Sequence, residues 1–512
     1  MSQAEQVVDE LVPDDVIPHR LLPPLKYRDM PEPIPWQRMV GPSIILAGLA
    51  LGSGEFIMWP KIVHSTGFVF FWACLLGVVT QFFLNLEIER WTLATGESAI
   101  TGFCRLSKQW AWIFLIFNIV PWAWPGWATG SAQIASWMMF GPLSREVGGK
   151  IVQDSYYTSP LAIALLVLAG VVLTSGPVVY NTVERLQTWL VGLILVLAAV
   201  IGVCVIRPDA VMALLSGLAK FGTMPDLSGT GLTETTLLGA LAFAGAGGTM
   251  NLSQSNYIKD KGYGMGRYIG RITSPLTGNE EAISETGYHF HHTPENMARW
   301  KVWWRAANVE HFCSFLMTCF VCLILLSLVS YSLFYDKNGQ MIAEGKNVGA
   351  GLSFVWAQAE LLGRHDFGWF LQPAYLIAGM ALLLTTELGV LDASSRISAD
   401  IVKVNYLREN DRWSVSRLYF CFLWGEILLG SIILLNVTDE PLAQLQTAAA
   451  LNGTVMFLYS LLLLYLNAKI LPRSLSITPV RFVAIVWSCA FFGYFTWQAG
   501  GTWLTAIGKW FP

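Results

Sequence analysis

Charged residues are scarce in this chain: they make up 13% of its 512 residues, against 54% hydrophobic. A soluble domain carries about a quarter charged residues, and every charge set in hydrocarbon is costly. The deficit therefore excludes water as the main solvent and points to lipid. A formal charge of −3 leaves no basic footprint, which excludes nucleic acid as a partner. The eight cysteines show no zinc spacing, and the one CxxC match, Cys319-Phe-Val-Cys322, lies inside an apolar run. Seven of them (Cys74, Cys204, Cys313, Cys319, Cys322, Cys421 and Cys489) fall in apolar runs and read as small buried hydrophobes. The sequence shows no nucleophile–base spacing, phosphate loop or zinc motif, so neither an enzyme nor a resident cofactor is expected. Residues 1–36 hold seven prolines and no apolar h-region. They read as an extended cytosolic tail, not a signal peptide.

Long apolar runs are abundant. Stretches able to cross a bilayer, about 20 residues each, recur at 38–64, 67–90, 109–139, 159–179, 186–206, 233–257, 309–334, 369–393, 416–436, 441–467 and 482–505. The chain therefore reads as an all-α polytopic membrane protein of about eleven spans. The polar insertions 258–306 and 335–368 are long, and the second contains an amphipathic stretch from Leu352 to Leu362. With the N-terminus cytosolic, 23 of the 32 Lys and Arg fall on inside segments. The positive-inside rule then places the N-terminus in and the C-terminus out. The lack of a targeting segment favours a bacterial inner membrane. Oligomeric state is not legible.

Two spans are interrupted. Span 1 carries Gly52-Ser53-Gly54-Glu55 halfway along, and span 6 carries Gly245-Ala-Gly247-Gly248-Thr249-Met250-Asn251. Each glycine costs about 1 kcal/mol in a helix relative to alanine, so both stretches are expected to unwind. Unwound backbone at membrane depth survives only where it is buried in protein or lines a cavity. Breaks five spans apart fit two inverted five-helix repeats whose broken first helices meet at the substrate site. The domains expected are a tail over 1–37, repeats over 38–206 and 207–467, and an extra span within 468–512. Tight glycine packing is the competing explanation. Glu55 opposes it, because an intramembrane carboxylate is costly and functional by default.

At these residues the chain resembles the Nramp family of divalent-metal transporters, which have the LeuT-type fold. Gly41-Pro-Ser opens span 1, and Leu93-Ala-Thr95-Gly96-Glu97 follows span 2. Span 3 carries Ala128-Thr129-Gly130-Ser131-Ala132-Gln133, and Gln446 and Asn452 stand in span 10. The likeness covers most of residues 38–465. It implies alternating access with a metal held between spans 1 and 6. The departures are specific. The family's Asp-Pro-Gly-Asn is replaced, so its Asp and Asn positions hold Gly52 and Glu55. The acidic pair of span 3 becomes Gly130 and Gln133, which puts proton coupling by the family's usual route in doubt. The family's Met-Pro-His-Asn in span 6 aligns either on Asn251-Leu252, putting Gly248 at the Met position, or on Met250 itself. Both alignments lose the histidine.

The candidate ligand set is therefore Glu55 and Asn251 as metal ligands, with Gly52, Ser53, Gly245, Gly248, Thr249, Met250 and Gln446 completing the site. One carboxylate among neutral oxygens suits Mg²⁺ or Mn²⁺, and Met250 would add some preference for Mn²⁺ or Fe²⁺. The cation enters as substrate. The alternative is an organic cation or an amino-acid-like solute in the cavity that the glycines enlarge. A sensor would need a signalling domain, and none is visible.

Four further features are open to a functional reading. His289-Phe290-His291-His292 could bind a transition metal, though a solvated loop is the expected role. Asp392 and Arg396 are i,i+4 neighbours and are expected to pair, with Glu387 nearby. Glu426, inside span 9, is open between a structural bond, a subunit contact and transport. Pro121-Trp-Ala-Trp-Pro125-Gly-Trp127 is expected to kink span 3, with its indoles packing the scaffold.

Overall fold

The computed structural model describes residues 10–510 except 20, 36–38, 148–149, 231, 280, 282, 285, 347, 349–350 and 438–440. It describes no side chain at 147, 150–151, 234–235, 238, 443, 446–447, 450, 495 or 498–510. Among the described residues eight helices are long and apolar enough to cross a membrane. A ninth span is the pair Pro42–Ala50 and Gly54–Thr66, bent by 41° at its break. The halves Glu234–Ala242 and Ser253–Lys261, and the helix Pro479–Trp510, occupy the places of spans 6 and 11. The chain is an integral membrane protein.

Spans 2, 4, 5 and 9 are the helices Phe71–Thr95, Thr158–Ser175, Val179–Val205 and Val415–Asn436. The outer faces of spans 4, 5 and 9 are apolar yet exposed, as at Trp189 (79%) and Val203 (88%) of span 5, which is tenable only against lipid. Three of the cysteines expected to be buried, Cys204, Cys313 and Cys421, lie on such exposed faces. In lipid an outward apolar residue costs nothing, so an apolar run does not imply burial.

Span 3 is split into Gln109–Trp122 and Gly126–Phe140, with Pro121 and Pro125 at the division. Span 7 runs unbroken from Pro294 to Phe334, starting well before the apolar run at 309. Thr293 caps it, its hydroxyl accepting from the Asn296 N–H. Span 8 likewise continues past 393 to Asn405. Hydropathy marks only the part of a helix that meets lipid, so the polar extensions of both helices escape it. Span 10, Pro441–Tyr465, packs on the first half of span 6 and on the turn Gly248–Leu252 at its break. The amphipathic stretch forms the helix Ser353–Gly363, and Leu143–Val147 and Lys150–Asp154 are the strands of an antiparallel hairpin, with Leu143 opposite Asp154.

The tail is extended but docked. Lys26–Tyr27 pairs in parallel with Tyr288–His289. Arg105 donates to the Pro23 carbonyl at 3.0 Å, and Trp303 to the Pro31 carbonyl at 2.8 Å. The three histidines of the loop point to different partners. His291 stacks on Tyr27 and bonds Glu10 at 3.1 Å, while His292 bonds Ser474 at 3.1 Å. His289, expected in solvent, is buried and bonds the Ala94 carbonyl at 2.9 Å. Strand pairing with the tail drives its ring inward.

Burial pushes the His289 imidazole down to about 4, while an unfolded chain holds it near 6.5. Between those values the unfolded state binds more protons, so stability falls as pH drops through about 6.5 toward about 4. The full effect is on the order of 3 kcal/mol. Thermal unfolding measured on either side of that window is expected to show this loss. The dependence should flatten in His289→Gln, which keeps a donor for Ala94, and persist in His291→Gln.

Candidate functional site

The two predicted breaks meet. In span 6, Gly247 and Gly248 have φ of 72° and 51°, a region that costs an ordinary L-residue about 1–2 kcal/mol. A Cβ at Gly248 would overlap the Asn452 side-chain oxygen, and one at Gly54 would overlap the Phe243 carbonyl. Only glycine allows spans 1, 6 and 10 to approach this closely.

Each break exposes backbone groups that side chains then satisfy. Glu55 folds back so that its Oε2 accepts the Gly52 N–H at 3.2 Å. Its helical turn, Gly54–Met58, packs on the half of span 7 that carries Cys319 and Cys322. Gln81 of span 2 ties the span 6 break together. Its Nε2 donates to the Ala242 carbonyl at 3.1 Å, and its Oε1 accepts from the Gly247 N–H at 3.1 Å and from Asn251 Nδ2 at 3.3 Å. Asn251 Nδ2 also donates to Tyr459 at 3.0 Å. The two predicted metal ligands thus spend their bonds on different partners, Glu55 on its own break and Asn251 on spans 2 and 10.

What they keep in common is an empty acceptor. Glu55 Oε1 and Asn251 Oδ1 are buried without a hydrogen-bond partner, and so is Asn452 Oδ1 beside Gly248. Ser53 and Thr249 are already engaged. Trp127 donates to Ser53 Oγ at 3.2 Å, and Trp122 to Thr249 Oγ1 at 2.8 Å, whose own proton goes to Asn118 at 2.9 Å. Thr249 is therefore a bridge, with no hydroxyl proton left over. Met250 is fully buried in the turn Gly248–Leu252. Gly52 faces Thr386 of span 8 and Gly245 faces Gln81. The side chain of Gln446 lies outside the described residues. Its neighbour Gln444 accepts from Thr129 of span 3 at 3.0 Å.

Span 3 contributes more than scaffold packing. Its division lies level with the other two breaks, and the indoles on either side bond to both. Trp122, Trp127 and Phe243 form a ring cluster with centroids 5.6–6.2 Å apart. Glu387 accepts the Ala128 N–H at 3.1 Å, capping the second half of span 3. Glu426 accepts from Ser394 at 2.6 Å, and Ser394 also accepts from Asn118 at 3.0 Å. That makes Glu426 the end of a chain reaching Thr249. Gln133 turns instead to the hairpin, donating to the Gln153 carbonyl at 3.2 Å. The kink expected at Pro121–Pro125 is present as a full division of span 3, whereas Gln81 is a part that sequence reading missed, its signal being a lone glutamine in an apolar run. Among the described residues no group of three His, Cys, Asp or Glu is placed to hold a metal.

Broken first and sixth spans, paired as inverted repeats with one span added, define the LeuT-type fold in its Nramp-related form. Solved structures of a manganese transporter from Eremococcus coleocola share it. A glutamate-to-alanine mutant of that protein matches at 12% identity and a TM-score of 0.63, covering 94% of this chain and 92% of the other. The same transporter in complex with an aromatic bis-isothiourea compound matches at 13% identity and a TM-score of 0.61, covering 91% and 88%. At such identity the likeness establishes the fold. No protein-family model matches the sequence, and a search of curated proteins finds no match.

Proposed function

We propose that this protein carries a divalent metal cation, of the Mg²⁺ or Mn²⁺/Fe²⁺ class, across the membrane by alternating access. The observation behind this reading is the set of three buried oxygens with no donor, on Glu55, Asn251 and Asn452. Acceptors without donors are what a hard cation needs, and leaving a buried acceptor unpaired otherwise costs about 1–3 kcal/mol. A single carboxylate among neutral oxygens suits an ion that keeps part of its water. The manganese transport named for the structural neighbour supports the same class. In this reading Glu55 draws in the ion, and Asn251, Asn452 and freed carbonyls complete its shell. The tail faces the cytosol of a bacterial cell and the C-terminus lies outside.

A second reading has its own observation. Trp122, Trp127 and Phe243 present aromatic faces beside a buried carboxylate, and such faces attract organic cations.

Uptake by purified protein in liposomes separates the two. Mn²⁺ or Mg²⁺ is expected to accumulate, and excess tetramethylammonium is expected to leave that flux unchanged. If neither metal moves and a quaternary ammonium does, the metal reading is wrong.

A further inference from the structure

A second buried polar cluster lies between the tail-side ends of spans 1, 2, 6 and 7, away from the breaks. Glu310 of span 7 accepts the Gly41 N–H at 3.2 Å, the Ser43 N–H at 3.1 Å and the Ser43 hydroxyl. It thereby holds the first turn of span 1. Ser43 Oγ lies 2.8 Å from His311 Nδ1 and accepts from Gln254 Nε2 at 3.1 Å. Gln254 also donates to Glu89 Oε1 at 2.8 Å, and His311 Nδ1 lies 3.3 Å from that oxygen. These five side chains are all buried. Ser43 and Gly52 are nine positions apart, about 13 Å of helix, so this is not the cation site.

Hydrogen counting fixes the protonation pattern. The hydroxyl proton of Ser43 goes to Glu310, so Ser43 accepts from His311, which makes Nδ1 the protonated nitrogen. His311 Nε2 has no partner, and neither does Glu89 Oε2. A charged imidazolium would leave a buried N–H unsatisfied at Nε2, so the ring is neutral and balances no carboxylate. The nearby cations are committed elsewhere. Arg90 and Arg481 both pair with Glu87, at 2.7 and 3.2 Å, and Lys261 pairs with Glu184 at 2.5 Å. Two buried phenols also lie close by, Tyr263, bonded to the Met39 carbonyl, and Tyr180, whose ring lies 5.8 Å from Lys261 Nζ. Four carboxylates therefore face three cations in a medium that tolerates little net charge. Glu310, with three donors, keeps its charge, and Glu89 Oε2, with none, is the vacant seat for a proton.

We propose that Glu89, with His311 and Glu310, forms a buried proton-binding site whose occupancy is coupled to release of the inner half of span 1. The coupling rests on the transport reading above, whereas the proton binding does not. Losing the Glu89 proton would place a second charge beside Glu310 and disturb the bonds through Ser43 that anchor span 1. The site would supply a proton route where span 3, with Gly130 and Gln133, has none.

Two measurements on the full chain test this separately. Infrared difference spectra of detergent-purified protein across a pH titration are expected to contain the carbonyl stretch of a buried carboxylic acid. Glu89→Gln should remove that band, Glu310→Gln should retain it, and Glu89→Asp, the variant to use if Gln does not fold, should shift it. A band unchanged in Glu89→Gln or Glu89→Asp would overturn the proton site. In liposomes carrying an internal pH dye, wild-type protein is expected to acidify the lumen as Mn²⁺ enters. Glu89→Gln should keep downhill Mn²⁺ flux with at least a tenfold loss of proton flux. Mn²⁺ entry without acidification in the wild type would overturn the coupling and leave the metal reading standing. Absence of both Mn²⁺ and Mg²⁺ flux would sink the metal reading, with the infrared band still deciding the proton site.

Discussion

Glu55→Gln is expected to lower metal affinity at least a hundredfold, about 2.7 kcal/mol, and to reduce uptake by a comparable factor. Two unit charges about 4 Å apart at an effective dielectric near 20 interact by about 4 kcal/mol. A divalent ion doubles that attraction, and the cost of desolvating the ion takes back part of it. The variant is otherwise mild. A glutamine oxygen still accepts the Gly52 N–H that Glu55 Oε2 holds at 3.2 Å, so the turn at the break is preserved. What changes at the vacant position is that a bare oxygen becomes an NH₂ donor, which repels a cation. Binding of Mn²⁺ by calorimetry and uptake in liposomes should fall together while the unfolding temperature stays put. Intact binding in Glu55→Gln would remove this residue from the site.

Arg396→Leu is expected to destabilise the protein by about 3–5 kcal/mol, the usual cost of removing one partner from a buried ion pair. Arg396 is almost fully buried. Its Nε lies 2.9 and 2.8 Å from the two Asp392 oxygens, and its Nη1 bonds Asp260. The guanidinium also lies over the rings of Tyr257 and Tyr419, 5.6 Å from each centroid. Leucine leaves two carboxylates uncompensated in the protein interior. Adding Asp260→Asn and Asp392→Asn to the same chain removes those charges, so the triple variant should recover much of the loss in detergent thermal unfolding. Equal stability of the single and triple variants would mean the charges are compensated elsewhere. The cluster also joins the second half of span 6 to spans 8 and 9, so any opening of this face that separates span 6 from span 8 must break the Asp260–Arg396 bond.

The Asp392–Arg396 pair was legible beforehand because it is local, four residues apart on one helix. Asp260, which completes it, was not, since it comes from a different span. The same divide runs through the candidate site. Glu55 and the glycine clusters stand out as chemistry that hydrocarbon penalises, and the breaks are where the sequence places them. The partners that satisfy those breaks come from far along the chain: Gln81 for span 6, Glu387 for span 3, and the indoles for Ser53 and Thr249. The expectation that the indoles only pack the scaffold missed this, because a tryptophan in an apolar run gives no sign of which way its N–H points. The histidine cluster shows the reverse error. Three imidazoles close in sequence suggest a common ligand, yet backbone pairing with the tail sends them to separate partners.

By itself the sequence determined the solvent, the spans, the two glycine breaks and the one carboxylate set between them. These follow from composition, from runs about 20 residues long and from the local cost of glycine or charge in a membrane helix. Only the tertiary structure decided which faces of those helices turn inward. It brought a third break level with the first two, left three acceptor oxygens without donors, and closed Glu89, Glu310 and His311 around Ser43. The reason lies in the solvent. In water an amphipathic period of 3.6 residues marks the inner face of a helix, but in lipid the outer face is apolar too. The contrast that would reveal a span's orientation is then largely absent from its sequence.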